Sequence, residues 1–180
     1  MDYDEILRFW FVETAPRTRW AADPAFDRLI GERYGAVLEA AARAELAAWR
    51  GDARGRLAEV IVLDQFSRNA HRGTARAFAN DAIALVLAQE AVAGGHDQTL
   101  AGEERAFLYM PYMHSESKRV HVDAVRLFAS LGPDNDNYRY ELRHKAIIDR
   151  YGRYPHRNDA LGRVSTPEEI AFLKEPGSRF

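Results

Sequence analysis

No stretch of the chain alternates apolar and polar residues with period two. Apolar positions recur at intervals of three and four instead, which is the signature of helices packed along one face. The first helix is expected over about 3–12, with Ile6, Phe9 and Trp10 at core spacing. Asp23-Pro24, a cap followed by proline at the first helical position, opens a helical stretch to about 49, with two readings open: continuous, or broken near Gly31 or Gly35. Helices at about 55–69 and 75–92, the second capped by Thr74 and stopped at Gly94-Gly95, are joined by only a few residues and should pair antiparallel. EERAFLYMPYMHSE is helical with Pro111 inside it, where the ring frees the Phe107 carbonyl. Further helices are expected over about 116–131 and 138–151, and Thr166-Pro167-Glu168-Glu169 reads as a capping box opening a short last helix to about 174. Between these two ends lies GRYPHRNDALGR, 152–163, with no periodicity at all. The pattern predicts an all-α fold of about seven to nine helices. The antiparallel pair at 55–92 has the size of a TPR unit without the TPR consensus residues, no repeat of fixed period is evident, and the chain is expected to form a single domain over 1–180 with a frayed tail at 175–180.

Composition narrows the function classes. A chain of 180 residues, 47% hydrophobic and 29% charged, can bury a core of its own. Its 25 basic and 27 acidic side chains leave a net charge of -2, which argues against nucleic acid held by bulk charge. Without cysteine there is no disulfide, thiolate nucleophile or Cys-ligated metal. The opening MDYDEILRFWFV is acidic where a signal peptide is basic, and the longest weakly polar run, Ala82–Ala93, is broken by Gln89 and Glu90. A cytoplasmic protein with no membrane segment is expected. The pattern carries no sign of oligomeric state.

Candidate chemistry comes from polar residues in apolar places. In RLAEVIVLDQFSRN the stripe of Leu57, Val60 and Ile61 continues onto Asp64 and Arg68, with Gln65 and Asn69 alongside. Two readings stay open: an i,i+4 ion pair in the favourable order, or the wall of a polar cavity. RNAHRGTAR, 68–76, holds Arg68, Arg72 and Arg76 with one histidine and no acid, a composition that suits a phosphate or carboxylate unless these arginines cap a helix end. EERAFLYMPYMHSE brings Glu103, Glu104, Arg105, His114 and Glu116, the residue types of acid/base work. His114 and Glu116 are two apart and share no helix face, and HExxH is absent, so no metal is expected. No GxSxG, Walker or GxGxxG pattern occurs, and no cofactor is expected. Residues 141–163 carry six Lys/Arg against three acids, with His144 and His156, yet no nucleic-acid motif.

FWF at 9–11, LDQFSRN at 63–69, RGTARAFANDAIAL at 72–85, ER-FLYMPYMHSE at 104–116 and Y-GRYPHRN-LGR-ST at 151–166 resemble, over nearly the whole chain, the uncharacterised bacterial family called domain of unknown function 924. The resemblance implies an all-α, TPR-like fold and no established activity, cofactor or substrate. Tyr151 and Tyr154 stand where the family usually shows phenylalanine, and Ser117-Lys118-Arg119 replace expected acids.

Two functions from different classes fit these residues. In the first, a small anionic ligand, phosphate or carboxylate, sits in one pocket. Arg68, Asn69, Arg72, Arg105, His144, Arg153, Arg157, Asn158 and Arg163 bind it, and His114, Glu116, Glu104, Asp64 or His156 perform acid/base or hydrolytic chemistry. In the second, a TPR-like surface holds an acidic peptide or a partner's C-terminus. A third account is purely structural: the arginines and His156 tie the irregular loop to helix ends.

Overall fold

A computed structural model describes residues 1–178, and every regular element in them is helical. The α-helices are α1 (Tyr3–Arg8), α2 (Pro16–Trp20), α3 (Pro24–Ala42), α4 (Ala53–Ile61), α5 (Ser67–Ala70), α6 (Asp81–Ala93), α7 (Gly102–His114), α8 (Lys118–Ala129), α9 (Asp136–Tyr151) and α10 (Pro167–Phe172). Among the described residues no helix is long and apolar enough to cross a membrane.

Most helix starts follow local chemistry. Asp23 accepts from the Ala25 and Phe26 amides and Pro24 occupies the first helical position. Thr166 and Glu169 form the expected capping box at α10. Pro111 lies inside α7 as expected.

The helix expected to about 49 runs unbroken through Gly31 and Gly35 and stops at Ala42, with a 3₁₀ turn at Ala47–Gly51. Two further departures carry physical reasons. The regions expected as uninterrupted helices at 3–12 and 55–69 each pass into a wider π-helical turn, Phe9–Glu13 and Val62–Phe66. In the second, all five side chains are buried. The Asp64 carbonyl also accepts a side-chain bond from Arg68 Nη1 at 2.9 Å. The helix expected from 75 begins instead at Asp81, after a short 3₁₀ turn, Ala75–Phe78. Its start is fixed from the preceding helix: Asn80 Nδ2 donates to Ser67 Oγ at 3.0 Å, and Arg68 grips both oxygens of Asp81 at 2.9 and 3.0 Å.

The chain forms two compact units. The first comprises residues 1–72 and 76–111, the second 73–75 and the chain from Tyr112 onward. In the first unit α4 packs on α1 and α6, and α3 packs on α5. Its centre is aromatic: Trp10 lies 5.7 Å from Phe66 and 5.5 Å from Phe107, and Tyr34 lies 4.6 Å from Phe9. In the second unit α8 packs on α9. Each contributes one buried stripe, His121, Ala124, Leu127 and Phe128 from α8 and Glu141, His144, Ile147 and Ile148 from α9. Tyr154 completes that core, with Tyr151 and Phe172 packed against it. Ser178, within the expected frayed tail, is buried and donates to the Leu173 carbonyl at 3.2 Å. Residues 179 and 180, also placed in that tail, lie outside the described residues.

Candidate functional site

The sequence-selected residues divide between the two units. Asp64, Arg68, Asn69, Arg72, Glu104 and Arg105 belong to the first, and His114, Glu116, His144, Arg153, His156, Arg157, Asn158 and Arg163 to the second.

In the first unit the arginines meet carboxylates. Arg68 pairs with Asp64 at 3.0 Å, in the i,i+4 geometry read from the sequence, and also with Asp81. Gln65 donates to the other Asp64 oxygen at 2.7 Å. Arg72 takes Asp27 with two bonds of 2.6 and 2.8 Å and donates to Asn69 at 3.2 Å. Arg76 meets Glu39 at 2.6 Å. Glu104 accepts from Arg54 at 2.7 Å and, through its other oxygen, from the Ala101 amide at the start of α7. Arg105 is half-buried, and its Nε has no hydrogen-bond partner among the described residues.

In the second unit the loop 152–163 folds back on itself. Gly152 and Gly162 take left-handed conformations, φ 70° and 65°, which a side chain would strain. Arg163 grips both oxygens of Glu116 at 2.7 and 2.9 Å, while the Tyr154 amide donates to Glu116 Oε1 at 2.7 Å. Burial pushes the Glu116 pKa up, but Arg163, that amide and the nearby charge of Arg157 outweigh it, so the carboxyl titrates below its ordinary range. Arg153 clamps Glu169 at 2.7 and 2.8 Å and donates to the Val164 carbonyl. Asn158 donates to Ser165 Oγ at 2.9 Å and accepts from Arg163 Nε at 3.0 Å.

The remaining groups gather on the ring of Tyr154. Its hydroxyl donates to the Met113 carbonyl at 2.5 Å. The rings of His121, His144 and His156 lie 6.4, 5.6 and 5.5 Å from it, and the Arg157 guanidinium stands 4.5 Å from its centroid. Arg157 also donates to the His114 carbonyl at 2.9 Å. His144 donates from Nδ1 to the Tyr140 carbonyl at 2.8 Å. Burial holds its pKa down to about 3, with small contributions from His114, His121 and His156, so it stays neutral and presents Nε2 as an acceptor. His121 and His144 are buried; His114 and His156 are half-buried and reachable from solvent.

His121, Glu141 and Tyr154 were not selected from the sequence. The signal was present. His121 shares a helical stripe with Ala124 and Phe128, and Glu141 shares one with Ile148, so ionisable side chains stood at core positions. Among the described residues no group of three or more His, Asp or Glu side chains is arranged to hold a metal ion.

Residues 6–177 match the family model described as a bacterial protein of unknown function, DUF924. The chain belongs to this family. The DUF924 chain is also similar to a solved structure of a protein of unknown function from Agrobacterium tumefaciens, with 38% identity over 96% of each chain and a TM-score of 0.90. No curated protein matches it. The family match fixes the kinship of the DUF924 chain and leaves its chemistry to be argued from the site.

Proposed function

We propose that the second unit binds a small anion, phosphate or carboxylate, at the cluster around Tyr154, and that His114 or His156 moves a proton for it in acid/base or hydrolytic chemistry. The observation that carries this reading is the convergence of three histidine rings, His121, His144 and His156, and the Arg157 guanidinium on one tyrosine, with Arg157 also held by the His114 carbonyl. Guanidinium and imidazole are the side chains suited to holding an oxyanion and exchanging a proton with it. The half-buried His114 and His156 form the face open to a ligand. Arg153, Asn158, Arg163 and Glu116 brace the loop that carries Arg157. In this reading Asp64, Glu104, Arg68, Asn69, Arg72 and Arg105 serve the first unit's own packing.

The test is a thermal-shift and calorimetric titration with inorganic phosphate, with citrate, and with an acidic peptide. It uses wild type and the His114→Ala, His156→Ala and Arg157→Ala variants. Phosphate or citrate should stabilise wild type and lose most of that effect in the variants. Equal stabilisation of all four proteins overturns the placement. Binding of the peptide alone favours the TPR-like interaction module instead.

A further inference from the structure

Behind the solvent-reachable histidines lies a fully buried pair that the proposed function does not use directly. His121 Nδ1 sits 2.7 Å from Glu141 Oε1, and both residues are 0% exposed. His121 Nε2 sits 2.8 Å from the Ser115 carbonyl oxygen. A carbonyl only accepts, so Nε2 carries a hydrogen. The alternative donor for Nε2, the Tyr154 hydroxyl, is 3.3 Å away and gives its single proton to Met113 O at 2.5 Å. Nδ1 and a bare carboxylate oxygen, as two acceptors, do not approach to 2.7 Å; that contact needs a hydrogen of its own.

We infer that Glu141 and His121 hold two protons between them, one on Nε2 and one on the Nδ1···Oε1 axis, and that through Tyr154 they position the anion site. Whether the second proton rests on oxygen or nitrogen, the count is the same: carboxylic acid with neutral imidazole, or carboxylate with imidazolium. Glu141 Oε2 is buried with no hydrogen-bond partner among the described residues, which favours the uncharged carboxyl. Burial pushes the Glu141 pKa up in the same direction. The other groups acting on the pair are His144, Lys145 and Asp149 on α9, with Lys118 at the start of α8 donating to the Asp149 carbonyl.

The positioning step is geometric. His121 spans from Glu141 on α9 to Ser115 at the end of α7, against the hydroxyl of the tyrosine that underlies Arg157. Glu141 and His121 are therefore positioning residues, acting on an anion through Tyr154 and Arg157. This half rests on the anion-site reading; the proton half does not.

The experiment is a nitrogen-15 NMR titration of the histidine rings in the whole protein, with phosphate affinity measured on wild type, Glu141→Gln and Glu141→Ala. At neutral pH the His121 ring shifts should show Nε2 carrying a hydrogen and Nδ1 engaged in a hydrogen bond with Glu141. An unprotonated Nε2, or an Nδ1 with no hydrogen bond to Glu141, overturns the proton half. Glu141→Gln, whose amide still donates to Nδ1, should bind phosphate within about threefold of wild type, and Glu141→Ala should weaken it about tenfold or more. Equal affinities in all three proteins overturn positioning. Should Glu141→Ala fail to fold, a Glu141→Gln protein weakened as much as an Arg157→Ala protein does so too. If wild type binds no phosphate, the anion reading falls and takes positioning with it, while the His121 shifts decide the proton half by themselves.

Discussion

Single side chains in this protein are held by partners that the linear pattern could only partly foretell. Gly55 stands on the first turn of α4, where a Cβ would lie 1.9 Å from the Trp49 carbonyl oxygen. Gly55→Ala should therefore cost about 1–3 kcal/mol or more through overpacking against backbone, read as a lowered chemical-denaturation midpoint at unchanged slope. An unchanged midpoint would show that the turn before α4 gives way freely. Glu169 makes a second case, one of acid stability. Arg153, helped by the Thr166 amide and Asn158, holds its pKa down to about 2, below the roughly 4.3 of an unfolded chain. A depressed folded pKa stabilises above the unfolded value and loses that contribution as pH falls through the folded one. Wild-type stability should thus drop between about pH 4 and pH 2, by on the order of 1–3 kcal/mol from this group. Glu169→Gln should be less stable at neutral pH and show a flatter acid limb. Parallel pH profiles would refute the assignment. Glu169 was legible as a capping-box residue because Thr-Pro-Glu-Glu is a local signal. Its pairing with Arg153, sixteen residues away, was not, because a salt bridge between separate elements leaves no spacing in the chain.

Elements followed their caps where caps were local and departed where a neighbour decided. The Asp23 and Thr166 signals sit at the helix starts they announce. The π-helical turn at Val62–Phe66 was invisible, since one extra residue in a helix buried all round leaves the apolar pattern intact. The late start of α6 depends on Arg68 reaching across to Asp81. That arginine serves two carboxylates, so removing them singly and together should not be additive. Asp81→Asn alone should cost about 1 kcal/mol, because Arg68 keeps Asp64. Asp64→Asn with Asp81→Asn should cost more than the sum, because it removes both carboxylates that grip the half-buried guanidinium, by about 1–3 kcal/mol of interaction energy. A double-mutant cycle in chemical denaturation measures this directly. Additive costs would mean that the two pairs act independently.

At the scale of the molecule, the all-helical class was legible from periodicity alone, and the division of the candidate residues between two compact units was not. Residues distant in sequence carry no mark of which core they join. The first unit has a large aromatic centre around Trp10, Tyr34 and Phe66. The second has a smaller apolar core and places His121, Glu141 and His144 on its buried stripes. A smaller apolar core removes less hydrocarbon from water and so contributes less to stability. The second unit should accordingly open at lower free energy than the first. Native-state hydrogen exchange in mild denaturant would then show the α8 and α9 amides converging on a smaller opening free energy than those of α3 and α4. Added phosphate should raise the α8 and α9 value selectively, since the proposed site is built from that unit. A single opening free energy for all four helices would show that the two units unfold together. A phosphate effect confined to α3 and α4 would move the anion site to Arg68 and Arg72.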